Sequence, residues 1–352
     1  MSLAETLLWL CEIPSPIGEE ELICTKVAER LAKVPLAGAT RRYGNSIVVP
    51  VTRGTNGPKV ALVGHLDVVR TEHEHPPRIE GDKLYGPGSS DMKSGLALML
   101  DVAEQKKRPK VDLTLVFYAR EEGPFAENEL GPVLDEDPEL RHADIAMCLE
   151  PSDNRLQLGC AGSLHANVKF HGRTAHSARP WQGENAIQKA GAFLSRLGAL
   201  QPEKSLVDGL EWSAVASATM AKGGRARNII PDLFEVNVNH RFGPDRTLAQ
   251  AKAFVERLVG ADATVEFVDE APAALPFRKH PLVEALAASG VVSVEPKQAW
   301  TDVARFAALG VPAVNFGPGV NSQAHQKNEW TTLSLLDTGR DILGRWLERI
   351  SA

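Results

Sequence analysis

Residues 113–122 read LTLVFYAREE, an apolar run of strand-forming residues that ends in two acids, Glu121 and Glu122. An unpaired acidic pair at that place is ordinary if it is solvated. It is informative if the run is a buried strand, because an α/β sheet presents side chains to a crevice at its strand ends. The same shape recurs along the first half of the chain. Residues 59–63 lead into GHLDVV, which carries His65 and Asp67, and residues 145–149 lead into Glu150 of CLEPS. Asp91, in SSDMKSG, stands just before a helical pattern over 92–103. Residues 46–51 read as a further strand and 18–34 as a helix with Leu22, Val27, Ala28 and Leu31 on one face. Strands alternating with helices argue for an α/β domain with a mixed, mainly parallel sheet.

The pattern changes near Gly162. Residues 163–171 alternate, with Leu164, Ala166, Val168 and Phe170 on one face, and 185–197 are helical, with Ala186, Ile187, Ala190, Leu194 and Leu197 in register. Strands over 213–220 and 234–241, a helix over 247–258 and a strand over 263–268 follow. This β-α-β-β-α-β order is that of a ferredoxin-like α+β domain. One face of its sheet should be covered by helices, leaving the other face or an edge free to pair with a second copy. From about residue 272 the α/β character returns, with a helix at 281–288, a strand at 311–316 and an amphipathic helix over 333–350. We therefore expect a larger domain, residues 1–162 and 272–352, interrupted by an inserted lid or dimerisation domain, residues 163–271.

Length and composition agree with two domains. The chain has 352 residues, 43% apolar and 24% charged, and a net charge of −6. That balance argues against nucleic acid as a partner, and any anionic substrate would have to be held by local arginines. No apolar run reaches membrane-spanning length. The opening MSLAETLLWLCEI lacks a basic start and is interrupted by Glu5, so no signal peptide is expected. Cys11, Cys24, Cys148 and Cys160 show no CxxC spacing and read as reduced thiols of a cytoplasmic protein.

His65, Asp91, Glu122, Glu150 and His325 form a candidate metal set, because imidazole and carboxylate suit zinc. Asp67, two residues beyond His65, would lie on the same side of a strand and could hydrogen-bond the far ring nitrogen. Asp91 is equally a helix N-cap by composition, but its glycine-rich approach, Gly86 to Gly88, suits close backbone approach to a site. Glu121 beside Glu122 offers a spare carboxylate, which could take a proton from water beside a metal. A metal-dependent binding protein without turnover would have no use for that base. An α/β binding protein with the acids merely scattered over its surface would hold no metal.

HxD, SSDMKSG, the Glu pair, the later Glu and the final His follow one another as in the zinc aminoacylase and carboxypeptidase-like metallopeptidases, a family that the chain resembles over nearly its whole length. Further likeness lies in LYGPGSSDMKSGLA, DLTLVFYAREE, RTAHSARPW, RNIIPD, NHRFGPD, WTDVARFAALGVPAVNFGPG and AHQKNE. The resemblance implies two Zn2+, with Co2+ able to substitute. Asp91 would bridge them, with His65 and Glu150 on one ion and Glu122 and His325 on the other. Glu121 would be the general base, and Asp67 would orient His65. A cis peptide is implied after Asp91. His176 would reach the partner's site across a homodimer and stabilise the oxyanion there, although alone it reads as a surface-loop histidine. Asn228 and Arg241 would contact substrate, and Thr301 and Gly319 would line the pocket on the catalytic domain. By composition alone these are a loop residue, a strand-end arginine, a helix cap and a turn.

The strings quoted narrow the implied activity to cleavage of N-succinyl-LL-2,6-diaminopimelate into succinate and LL-2,6-diaminopimelate, in lysine and cell-wall precursor synthesis. The alternative within the family is removal of the acetyl group from acetylornithine, of the acyl group from another amino acid, or a dipeptidase reaction. One departure bears on the choice. Many bacterial relatives have arginine just ahead of the Gly-Ser at 162–163, where this chain has Cys160 and Ala161. Arg179, Arg225 or Arg227 is then the candidate for the missing charge.

Overall fold

The computed structural model describes residues 1–351. The chain divides into two compact units. The first comprises Met1–Gly159, Pro276–Lys297 and the C-terminal segment from Asp302, and the second Cys160–Leu275 with Gln298–Thr301.

The first unit is built on an eight-stranded sheet. Its order is Arg41–Tyr43, Ser46–Pro50, Asp112–Tyr118, Lys59–His65, Ile145–Cys148, Ala313–Asn315, Leu156–Leu158 and Val294–Pro296. The central strands from Asp112–Tyr118 to Ala313–Asn315 run parallel, and the antiparallel pairings lie to either side of them. Both faces are covered, so Val60 to Val63 and Leu113 to Tyr118, Thr114 included, are buried without alternation. The helix Lys93–Glu104 is buried over most of its length. The last helix, Leu333–Ile350, turns Leu336, Leu343, Trp346, Leu347 and Ile350 inward. The opening residues, read above only for a leader, form a helix, Leu3–Glu12. It starts in a capping box in which Ser2 accepts the Glu5 amide at 3.2 Å and Glu5 accepts the Ser2 amide at 2.8 Å.

The second unit has a five-stranded antiparallel sheet. Its order is Glu203–Val207, Leu210–Gly223, Leu233–Phe242, Gly162–His171 and Thr264–Ala271. Without its first strand this is the ferredoxin-like order. Leu164, Ala166, Val168 and Phe170 pack with Phe193, Leu197 and Val255 of the helices. Two details differ from the sequence reading. The helix expected over 185–197 is two pieces, Ala186–Lys189 and Gly191–Gly198, with Ile187 exposed and Phe193 buried. The edge strand Glu203–Val207 was not foreseen, although its turn, Asp208-Gly209, carries positive φ at both residues, as a type I′ hairpin requires. The short segment Gln298–Thr301 also belongs to this unit: Gln298 donates to the Glu211 carbonyl at 3.0 Å and Trp300 to that of Pro272 at 3.1 Å. Among the described residues no helix is long and apolar enough to cross a membrane.

Candidate metal centre

Three adjacent parallel strands converge on the site. His65 is the last residue of its strand and pairs in register with Tyr118, the last of the next. Glu121 and Glu122 follow Tyr118 after a turn in which Arg120 has a φ of 63°. Glu150 lies two residues beyond Cys148, the end of the strand on the other side of His65. The C-terminal edge of the sheet thus gathers four of the expected side chains.

Asp91 comes from outside the sheet, in the loop ahead of the Lys93–Glu104 helix. Met92, not Asp91, takes the N-cap position, so the capping reading of Asp91 does not hold. The Asp91–Met92 peptide is cis. Gly88, with a φ of 73°, has no room for a side chain: a Cβ there would lie 2.5 Å from Val68 Cγ1. His325, also at positive φ, comes from a loop shortly before the strand Trp330–Thr332 and is half exposed.

These side chains form overlapping clusters. The ligand atoms of His65, Asp91 and Glu150 lie within 4.8 Å of one another, as do those of Asp91, Glu122 and His325, and those of His65, Glu121 and Glu122. Asp91 divides its two oxygens between the histidines. Oδ1 is 3.3 Å from His65 Nε2, and Oδ2 is 3.6 Å from His325 Nε2. His325 Nε2 also meets Glu122 Oε1 at 2.8 Å.

The electrostatics are those of a crowded acidic pocket. Burial, with the neighbouring Glu150 and Glu122, holds the Glu121 carboxyl well above its ordinary range. Burial also pushes Glu150 up to about 7, against the pull of His65 and Lys297. For His65 burial acts downward, but the Asp91 hydrogen bond and nearby carboxylates outweigh it, and the pKa is raised. The bond to Glu122 lifts His325 to about 9. Glu150 Oε1 is buried and has no hydrogen-bond partner. A buried carboxylate oxygen left open costs free energy unless a cation meets it. The donor set and that open oxygen fit divalent cations.

Asp67 departs from the sequence reading. The His65 ring reaches the Asp67 main-chain carbonyl, 2.9 Å from Nδ1, while the Asp67 carboxylate stands 3.7 Å away. That carboxylate accepts the amides of Glu121 and Glu122 at 3.0 and 2.9 Å. The Asp67 side chain therefore fixes the turn that carries the two glutamates. The strand ends at His65, so the strand alternation used to place Asp67 does not reach it.

A residue that sequence reasoning passed over is Glu329. It is buried, and its carboxylate accepts three amides of the Asp91 loop. It closes the string AHQKNE, and an acid directly ahead of Trp330 was the available signal.

The remaining expected residues are distributed as follows. Gly319 lies in the first unit against the Asp91 loop, where a Cβ would stand 2.2 Å from the Ser90 carbonyl oxygen. Thr301, expected on the catalytic domain, is buried in the second unit, which also holds His176, Asn228 and Arg241. Within that unit the loop of His176 is tied to that of Asn228: Ser177 N donates to the Asn228 carbonyl at 2.9 Å. His176 Nδ1 accepts the Ala178 amide at 3.1 Å. Arg241 donates from Nε to Asn239 at 3.0 Å. Arg225 is engaged with both oxygens of Asp232 at 2.8 and 2.9 Å.

An α/β unit with two histidines and four acids gathered at the ends of its parallel strands is the architecture of a metallohydrolase. The chain belongs to peptidase family M20/M25/M40, whose model matches residues 61–349. It is 40% identical, over 96% of both chains, to a Mycobacterium tuberculosis protein provisionally named a succinyl-diaminopimelate desuccinylase. It is 36% identical to the succinyl-diaminopimelate desuccinylase of Corynebacterium glutamicum, over 96% of this chain and 94% of that one. Among solved structures, a Staphylococcus aureus tripeptidase matches with a TM-score of 0.80 at 21% identity, covering 99% of this chain and 98% of that one. A dinuclear metal-binding M20 peptidase of Bacillus subtilis matches with a TM-score of 0.71 at 14% identity, covering 98% and 96%. At such identities the structural likeness speaks for the fold alone.

Proposed function

We propose that the protein is a two-zinc amidohydrolase that cleaves N-succinyl-LL-2,6-diaminopimelate to succinate and LL-2,6-diaminopimelate. The observation that carries the metal reading is the division of Asp91, whose two oxygens face different histidines. Asp91 would bridge the ions, His65 and Glu150 would hold one, and Glu122 and His325 the other. The names of the relatives at 36% and 40% identity support the substrate.

Bound divalent ions supply Lewis acidity for the amide carbonyl and lower the pKa of water. The residues of the chain do the rest. Glu121, held by its main-chain bond to Asp67, takes the proton of the attacking water as the new C–O bond forms. It then gives that proton to the departing amine as the C–N bond breaks. His176 of a second copy would donate to the oxyanion between these steps, which makes the active form a homodimer. Asn228, Arg241, Thr301 and Gly319 would surround the substrate, with Arg241 suited to a carboxylate. Arg179, Arg225 and Arg227 stand as the candidates for the charge lost at Cys160 and Ala161, Arg225 being paired with Asp232 at the surface.

Two experiments test the reading. The zinc-loaded protein is offered equimolar N-succinyl-LL-diaminopimelate and N-acetylornithine, with both followed by mass spectrometry. Selective loss of the succinyl compound is expected, and selective loss of the acetyl compound would move the protein to a sister activity. Glu121→Gln should lower kcat by about 10²–10⁴-fold with zinc content unchanged. Retained turnover would remove Glu121 as the base.

A further inference from the structure

We propose that Glu329 is the residue that positions Asp91, by holding the main chain of the Asp91 loop. The inference rests on the two-metal reading above. Glu329 Oε1 accepts the amides of Ser90 and Asp91 at 2.7 and 2.8 Å, and Oε2 accepts that of Gly88 at 2.8 Å. The main-chain carbonyl of Glu329 takes a fourth amide, that of Gly86, at 3.0 Å. The next residue joins in, as Ser90 Oγ donates to the Trp330 carbonyl at 2.8 Å. Residues 86–91 therefore hang from one buried side chain and the backbone around it.

A side chain of this kind has an evident use. Asp91 belongs to two of the candidate clusters, so an error in its position disturbs both ions. Its own oxygens, one of which already meets His65, have to serve the ions, so the loop is best held by a group that leaves them alone. A carboxylate that binds only amides fixes the backbone and leaves the ligand oxygens alone. The segment 325–329 also carries His325, so one stretch of chain supplies a ligand of one cluster and anchors the residue shared by both.

The choice of glutamate over glutamine follows from the donors. All three amides point at the carboxylate, and an oxygen must face each of them. Glu329→Gln is nearly isosteric, but its NH2 group must oppose either Gly88 or both Ser90 and Asp91. The expected result is a loosened Asp91 loop in a folded protein.

The test is zinc affinity of the full-length chain, read by competition with a chromophoric chelator, for wild type, Glu329→Gln and Lys327→Ala. Lys327 lies in the same segment but pairs with Glu72 and Glu74 at 3.4 and 3.1 Å, so its variant is the control. Glu329→Gln should weaken both zinc ions by about 10–100-fold, the range seen when a ligand loses its supporting partner. Lys327→Ala should bind as wild type does. If Glu329→Gln lowers the melting temperature of the metal-free protein but binds both ions with wild-type affinity, Glu329 is a stability residue and the proposal fails. If wild type binds no zinc, the metal reading fails and takes this inference with it. Should Glu329→Gln not fold, Glu329→Asp takes its place. It keeps the charge on a shorter arm, and unchanged affinity there overturns the proposal equally.

Discussion

Cys11 is fully buried in the opening helix, and burial pushes its thiol from 9.0 up to about 12. The fold therefore holds the neutral thiol, while an unfolded chain would release its proton near pH 9. The stabilisation is complete below pH 9 and is lost as pH rises toward 12, by about 1.4 kcal/mol per pH unit. Lys93, which burial pushes down to about 8, acts in the opposite sense up to pH 10.5. The informative quantity is accordingly a difference. The urea midpoint of wild type should fall relative to that of Cys11→Ala between pH 9 and 10.5, and parallel curves would contradict the assignment. At this scale position was legible in the sequence where a strand end sets it, as for His65, Glu121, Glu122 and Glu150. Sequence reading failed where the partner is a distant main-chain amide. Asp67 serves the amides of Glu121 and Glu122, and Glu329 serves those of Gly88, Ser90 and Asp91. Neither relation leaves a spacing in the sequence.

Elements were readable in proportion to their hydrophobic period. The last helix spans Leu333–Ile350 as its apolar stripe indicates, and Trp346 is its largest buried side chain. Trp346→Ala should cost about 3–5 kcal/mol, measured by chemical denaturation of the first unit. Thr247 begins the helix Leu248–Val259 with a capping box to Gln250, so Thr247→Ala should cost about 1 kcal/mol in the second unit. The apolar residues of the helix Leu3–Glu12 are equally those of a leader, and the cap spelled by Ser2 and Glu5 is the sign in the sequence that they form a helix. The strand Glu203–Val207 is short and mostly exposed, so it leaves no hydrophobic period, and its Asp208-Gly209 turn is what marks it.

For the whole molecule, the consequence of two separate cores is selective stabilisation. All the candidate ligands lie in the first unit. Zinc at about 100 times its Kd should add about 2.7 kcal/mol per bound ion to that unit alone. Calorimetry of the full chain with and without zinc should show one transition rising and the other fixed, and a common shift would mean that the units unfold together. The change of period near Gly162 in the sequence falls close to Cys160, where the second unit begins. The assignment of Gln298–Thr301 to that unit was not visible in the sequence, because it depends on hydrogen bonds from Gln298 and Trp300 to Glu211 and Pro272.

The strand Ala313–Asn315 lies between Ile145–Cys148 and Leu156–Leu158, in the middle of the sheet. During translation those two neighbours emerge first and wait for it while roughly 155 further residues are made, about 8–30 s at ribosomal rates. Throughout that interval Ile145–Cys148 has an unpaired edge, and Leu156–Leu158, which pairs with Ala313–Asn315 and Val294–Pro296, has neither partner. Ribosome stalling within the second unit would release fragments that keep these edges open, and such products should be prone to aggregate and dependent on a chaperone.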